Sequence, residues 1–199
     1  EESLAWLRIR PCGCYVDATA GAGGHSARIL EQLNDKGRLI AIDRDLSAVE
    51  MVCARFAGHP NVQAAHANYR DLNRVLSSLG IESVDGVLID AGVSSMQIDL
   101  PDRGFSFQED GPLDMRMDPE NSVSAAEWLR RADRDTIERT LKIYGDVKPA
   151  GRIARVIKAR CGSGRMERTR DLAEAGSEAL PFVKGTPDER RTVFPAVRI

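Results

Sequence analysis

Four short runs of apolar, β-prone residues recur through the first ninety positions: Cys14–Ala18, Arg38–Asp43, Asn61–His66 and Val84–Asp90. Each carries Val, Ile or Leu with few charges, the pattern of strands covered on both faces. A helical pattern separates each run from the next. Ser26–Leu33 sets Ile29, Leu30 and Leu33 on one face, with Gly37 as its stop. Leu46–Phe56 groups Val49, Val52, Cys53 and Phe56, and Asp71–Leu79 groups Leu72, Val75, Leu76 and Leu79. Strands alternating with single helices need crossovers that return in the same direction, and such crossovers are right-handed. The spacing predicts an α/β fold built on a parallel sheet.

After Asp90 the pattern changes. Ala91 to Glu120 is rich in Gly, Pro, Asp and Ser and keeps no period, yet Phe105, Phe107, Leu113, Met115 and Met117 predict a packed, ordered loop. Helical character starts at Ser124, which with Glu127 has the spacing of a capping box. Gly145 is the expected end of a helix over Thr136–Tyr144. Arg152–Arg160 gathers Ile153, Val156 and Ile157 on one face while Arg152, Arg155 and Lys158 point elsewhere, and Thr169–Leu180 forms a further helix. The expected organisation is a first domain over 1–121, a helical subdomain over 122–192, and a return toward the first domain from 193 to 199.

With 199 residues, 42% of them apolar, the chain can bury a full-sized core, and 5% aromatic content makes that core aliphatic. No run approaches the roughly 18 apolar residues of a membrane span. Glu1–Arg10 lacks a signal peptide's apolar stretch. Cys12, Cys14, Cys53 and Cys161 are too scattered for a disulfide framework or a four-ligand zinc site. These features exclude secreted, membrane-spanning and disordered classes and make a reduced, cytoplasmic compartment the default expectation. The net charge of −2 conceals a division: ten acids face two arginines between Asp85 and Glu127, whereas thirteen basic residues face five acids between Arg130 and Arg170. Arginine, with its bidentate fork, suits phosphate contact, so the basic segment is either a solvated helical surface or a nucleic-acid face.

The segment Val16-Asp17-Ala18-Thr19-Ala20-Gly21-Ala22-Gly23-Gly24-His25-Ser26 follows the first strand and opens the first helix. Its glycines allow a ligand close to the backbone, and the helix start offers unpaired N–H groups. Asp43 closes the second strand, where a carboxylate can accept both ribose hydroxyls. Alternatively Asp43 caps the next helix, although Asp45 and Ser47 suit that role better. The spacing departs from G-x-G-x-x-G, so the dinucleotide fingerprint is incomplete. Asp90 closes the fourth run, either lining the same crevice or capping its own turn. An acidic mouth of this kind suits a sulfonium cofactor, whose positive charge vanishes when its methyl leaves. His25 lacks partner ligands, and no metal is expected.

From Asp90 onward the sequence resembles a known family. Asp90-Ala91-Gly92-Val93-Ser94-Ser95-Met96-Gln97, Arg103-Gly104-Phe105-Ser106-Phe107 and Asp110-Gly111-Pro112-Leu113-Asp114-Met115-Arg116-Met117-Asp118 are similar to motifs of the bacterial 16S rRNA cytosine-N4 methyltransferases. Asp17-Ala18-Thr19, Gly23-Gly24-His25-Ser26 and Ile42-Asp43-Arg44-Asp45 resemble that family's opening motifs. Tyr144-Gly145, Arg152-Ile153-Ala154 and Ala196-Val197-Arg198-Ile199 resemble its helical part.

The resemblance implies a Rossmann-like methyltransferase sheet with an inserted helical subdomain that grips rRNA, and S-adenosyl-L-methionine as cofactor. It implies Gly23, Gly24 and His25 along the methionine end, Asp43 on the ribose, and Asp90 and Gln97 on the adenine or methionine side. Tyr69 stands where the family usually has Phe, an adenine-stacking position. Ala91 replaces the family's Leu, and Pro195 its Gln, which predicts a last helix that starts late or bends. The family also continues past Arg198-Ile199, and this chain opens inside its first helix, so truncation at both ends is expected.

Cytosine N4 is a weak nucleophile because its lone pair is delocalised. An enzyme must align it with the methyl donor and accept hydrogen bonds from it. Asp90 and the Ala91–Val93 carbonyls are the candidate acceptors, with Asp90 the catalytic candidate. Phe105 and Phe107 are either base clamps or buried loop anchors. Arg130, Arg131, Arg152, Arg155 and Lys158 are the candidate RNA contacts. The expected partner is 16S-type rRNA or the small ribosomal subunit, with a homodimer as candidate assembly and no membrane. The sequence leaves two rival readings: a nicotinamide-dependent oxidoreductase, and a non-catalytic RNA-binding or ribosome-assembly module on a methyltransferase fold.

Overall fold

The computed structural model describes residues 2–120, 122–179 and 190–198. Asn121, residues 180–189 and Ile199 lie outside the described residues, and with them Leu180 of the expected Thr169–Leu180 helix and parts of the expected 122–192 and 193–199 segments. The chain forms two compact units, divided between Ser94 and Ser95.

The first unit begins with α1 (Glu2–Leu7) and β1 (Cys14–Asp17), followed by α2 (Gly24–Leu30), β2 (Arg38–Asp43), α3 (Leu46–Arg55), β3 (Val62–His66), a 3-10 turn over Tyr69–Asp71, α4 (Leu72–Ser78) and β4 (Gly86–Leu88). The four strands form one parallel sheet in the order β3-β2-β1-β4. This is the parallel α/β sheet that the alternating runs predict, in the Rossmann-like arrangement that the resemblance implies.

Alternate side chains of the strands serve opposite layers, as a period of two requires. Val16, Ala18, Ile40 and Ile42 pack with Val75, Leu76 and Ile81. On the other face Ala41 meets Val52 and Phe56, while Tyr15 and Leu39 meet Ile29. Helices therefore cover both faces. The fourth run departs from expectation: its strand is three residues long, and Val87 and Ile89 are exposed. β4 is an edge strand among the described residues, so these side chains lack the cover that the central strands have.

The second unit contains α5 (Ser95–Asp99), a 3-10 turn over Pro101–Arg103, α6 (Ala125–Arg131), α7 (Arg134–Gly145), α8 (Ala150–Gly162), α9 (Thr169–Glu178) and α10 (Arg190–Val197). Its core includes Leu129, Ile137, Leu141, Ile153, Ile157, Leu172 and Phe194. Ser124 caps α6 by accepting the Glu127 N–H at 3.2 Å, as the capping-box spacing predicts. Helix α7 starts earlier than its apolar face suggests, because Asp133 accepts the Thr136 N–H at 2.7 Å. It also ends differently: Gly145 is its last residue, and Asp146 takes the left-handed conformation beyond it. Gly145 serves packing instead, since a Cβ there would sit 2.6 Å from the Thr192 carbonyl oxygen. Pro195 lies inside α10.

The Gly- and Asp-rich segment over 95–120 groups with these helices. Phe105 and Leu113 are fully buried, Leu113 donates its N–H to Glu167 at 2.8 Å, and Pro112 bridges Arg168. Arg116 binds Asp114 through two guanidinium nitrogens, at 2.9 and 2.7 Å, and donates to the Pro119 carbonyl. Burial works to raise the Asp114 carboxyl, but Arg116 outweighs it and holds that carboxyl below the usual range.

Gly104 has φ +70°, and a Cβ there would overlap the Pro112 carbonyl oxygen. Gly104→Ala therefore combines left-handed strain with a backbone clash and should lower stability by about 2–4 kcal/mol. Urea unfolding of the variant beside Gly24→Ala, which meets no protein atom within 4 Å, measures this.

Candidate cofactor site

The order β3-β2-β1-β4 reverses direction between β1 and β4, since β2 and β3 extend to one side of β1 and β4 lies on the other. In open parallel sheets the ligand crevice lies beyond the carboxyl ends of the strands at such a switch. Four of the sequence-selected elements meet that edge. The glycine loop leaves β1, Asp43 ends β2, Tyr69 follows β3 in its 3-10 turn, and Asp90 lies two residues past β4. β2 and β4 flank β1, so Asp43 and Asp90 are separated by two strand spacings, roughly 10 Å.

The loop is tied to its neighbours. Gly21 donates its N–H to Asp43 Oδ2 at 2.7 Å, and Asp43 Oδ1 accepts the Asp45 N–H at 2.8 Å. Asp45, not Asp43, caps α3, accepting the Ser47 N–H at 3.1 Å. Asp43 is thus released from capping and oriented by two main-chain donors, with lone pairs left for other partners. Gly21 takes φ +51° and Gly23 φ +77°, the latter as the residue preceding α2. A Cβ on Gly21 would lie 3.8 Å from the Ser94 side chain, so the turn after Asp90 closes on the loop. Gly24 is exposed, and a Cβ there would point into open space. The protein's own packing leaves this position free for close approach. His25 is half-buried, and Tyr69 is 47% exposed with its ring available for stacking.

Asp90 is exposed and donates its N–H to Thr19 Oγ1 at 2.8 Å. Gln97 belongs to α5 in the second unit, where it is buried. An acceptor pair of carboxylates, an open glycine cradle and an exposed aromatic ring match a nucleoside carrying a positive charge. Among the described residues no cluster of His, Cys, Asp and Glu has the makings of a metal site.

The proposed RNA contacts lie in the second unit and differ from one another. Lys158 donates to the carbonyls of Arg130 at 3.0 Å and Ala132 at 2.7 Å, so its ammonium closes the end of α6. Arg131 pairs with Glu127, and Arg130 lies 3.7 Å from Glu167. Arg152 and Arg155 are exposed on α8. Phe105 is fully buried and Phe107 packs edge-on against Phe194 at 5.4 Å, which identifies both as loop anchors.

The MraW methylase family profile matches residues 1–199. The chain belongs to the MraW methylase family. It is 48% identical over its whole length to a ribosomal RNA small subunit methyltransferase H from Thioalkalivibrio sulfidiphilus, of which it covers 64%. It is 44% identical to the protein of that name from Methylobacillus flagellatus, covering 62%, and 40% identical to the one from Caldicellulosiruptor bescii, covering 65%. The chain therefore spans somewhat less than two thirds of the length of these relatives.

In this MraW-family chain the supports of the site are less legible than its exposed members. Asp17 is fully buried and accepts the Ser26 hydroxyl at 2.7 Å, fastening β1 to α2, and its other oxygen meets the Thr19 N–H at 3.4 Å. An acid inside an apolar strand followed nine residues later by Ser is the available signal, but it does not by itself reveal pairing. Burial pushes the Asp17 carboxyl above its ordinary value of 3.8, against the opposing pull of Ser26 and Thr19. A raised folded-state value means that the native state holds the proton longer. The group's contribution to stability is complete below the ordinary value and is lost as pH rises through the raised one. The stability of the native chain relative to Asp17→Asn should therefore fall as pH climbs out of the ordinary carboxylate range. Urea unfolding of both proteins across a pH series checks it, and a constant difference would contradict the assignment.

Proposed function

We propose that this chain forms the cofactor-binding and part of the RNA-binding machinery of an S-adenosyl-L-methionine-dependent methyltransferase acting on N4 of a cytosine in small-subunit, 16S-type rRNA. The observation that carries the reading is the convergence of the glycine loop, Asp43 and Asp90 on the switch point of a parallel sheet in a MraW-family chain. When bound, the sulfonium cofactor supplies an electrophilic methyl group.

The chain's own residues supply binding and orientation. Asp43, fixed by the Gly21 and Asp45 amides, accepts the ribose hydroxyls. Gly23, Gly24 and His25 border the methionine end, and Tyr69 stacks on the adenine. Asp90 accepts a hydrogen bond from the cytosine amino group, which aligns its nitrogen and stabilises the positive charge developing there. Arg152 and Arg155, with weaker help from the paired Arg130 and Arg131, contact rRNA phosphates. Lys158 supports that face by capping α6. We assign the cofactor function to 1–121, rRNA recognition to 122–192 and the return to the first domain to 193–199. The proposed setting is the cytoplasm, with the small ribosomal subunit as partner and a homodimer as the assembly.

Calorimetry with S-adenosylmethionine and with NAD tests the cofactor: the first should bind and the second should not. In the full-length protein Asp43→Ala should weaken S-adenosylmethionine about tenfold or more, the scale of a lost charged hydrogen-bonding group. Asp90→Ala should abolish methylation, read by mass spectrometry of rRNA nucleosides, while leaving RNA affinity intact. Unchanged methylation would overturn the catalytic assignment. Arg152→Ala with Arg155→Ala should weaken RNA binding and reduce its salt slope by about 2, one for each phosphate contact removed; filter binding over a salt series measures both.

A further inference from the structure

We propose that Thr19 is a positioning residue for Asp90, setting the opening between β1 and β4 at which the reaction takes place. The inference rests on the methyltransferase reading and deepens it. Backbone pairing of β1 with β4 ends at Asp17 and Leu88, with one further bond from the Ala18 N–H to the Leu88 carbonyl at 2.9 Å. The next amide on the β4 side belongs to Asp90, and its partner is a side chain: Thr19 Oγ1, at 2.8 Å. A hydroxyl stands farther from the β1 backbone than a carbonyl would, so this bond lets the strand ends separate while still fixing their distance.

The sequence makes the device specific. From Ala18 to Gly24 every residue except Thr19 is Ala or Gly, so no other side chain there can form a hydrogen bond. The main chain around it is anchored on both sides. Ala20 donates to the Ile42 carbonyl at 3.0 Å, and the Thr19 N–H faces Asp17, which the Ser26 hydroxyl holds in turn. Thr19 is half-buried and β-branched, which restricts its χ1 and with it the direction of the oxygen. Asp90 is exposed and sits beyond the strand, so this bond anchors its backbone from the loop. Asp43 is oriented separately, by Gly21 and Asp45. Loss of the Thr19 hydroxyl should therefore disturb Asp90 while sparing the ribose end of the site.

The test compares Thr19→Val, which keeps the shape and removes the acceptor, with Thr19→Ser, which keeps the acceptor. Both are made in the full-length protein. Thr19→Val should lower kcat about tenfold or more and speed amide exchange over residues 86–94 about tenfold, with a smaller change in the Kd for S-adenosylmethionine, because Asp43 still holds the ribose end. Thr19→Ser should restore kcat and exchange to within about threefold of the native values. A Thr19→Val protein with native kcat or native exchange overturns the proposal, as does a Thr19→Ser protein as impaired as the valine variant. The exchange readout needs no activity. A native protein that failed to methylate rRNA would refute the methyltransferase reading, and exchange would still decide whether Thr19 holds Asp90.

Discussion

The hydrogen bond from the Gly21 amide to the Asp43 carboxylate ties the glycine loop after β1 to the end of β2, and much of the site's geometry follows from it. A glycine-rich loop has high conformational entropy and would not hold a shape unaided. Here it is fastened to three of the four strands. Gly21 reaches Asp43 at the end of β2, Ser26 reaches Asp17 in β1, and Thr19 reaches the backbone beyond β4. The loop is thereby open to a ligand, with Gly24 facing free space, and still rigid enough to define where that ligand would sit. Order in the loop comes from the strand ends, whereas its openness comes from the missing side chains.

That division explains which parts of the site could be read from the sequence. The strands at Cys14 and Arg38 are legible because central strands of a parallel sheet are apolar on both faces, and Asp43 stands out as a charge ending such a run. The strand at Val62, an edge strand among the described residues, is legible from its place between two helical patterns. The capping role falls to Asp45 and leaves Asp43 free of it, since Asp45 has the extended backbone and the Ser47 amide that a cap requires. β4 was legible as a strand, but its length and its exposed Val87 and Ile89 were not. Composition does not tell an edge strand from a central one. Asp17 and Thr19 were quoted as motif members without a role, because their partners lie nine and seventy-one residues away and pairing at that separation is a property of the folded sheet.

In the second unit the charge pattern carried less information than its size suggested. An excess of basic residues over Arg130–Arg170 marks a surface, yet several cations there are structural. Lys158 closes a helix end, and Arg160, with an 11% exposed side chain, binds both Glu174 and Glu178. Arg168 binds Asp110 and so helps fasten the loop that precedes the helices. Three of the thirteen basic residues are therefore explained by the unit's own stability, and a count of charges overstates the field that remains for a polyanion. Arg152 and Arg155 are the stronger candidates, because both are exposed and sit on a helix whose opposite face, Ile153, Ala154 and Ile157, is fixed in the core.

The acidic mouth of the first unit raises a different problem: two carboxylates near one another favour a cation but also repel each other. The structure separates them by the width of β1 and orients the first through main-chain N–H donors. Amide donors stabilise a carboxylate without adding a mobile counter-charge that would compete with a ligand. A lysine or arginine in the same place would neutralise the mouth and weaken its attraction for a positively charged nucleoside. The Ala- and Gly-rich composition of the loop, which at first suggests only a tight turn, also adds no cation of its own, and the neighbouring Arg55 is engaged by the Ala22 carbonyl at 2.9 Å. The same residues therefore serve shape and electrostatics together. That dual demand leaves Thr19 as the one side chain between Ala18 and Gly24 able to anchor anything across the opening.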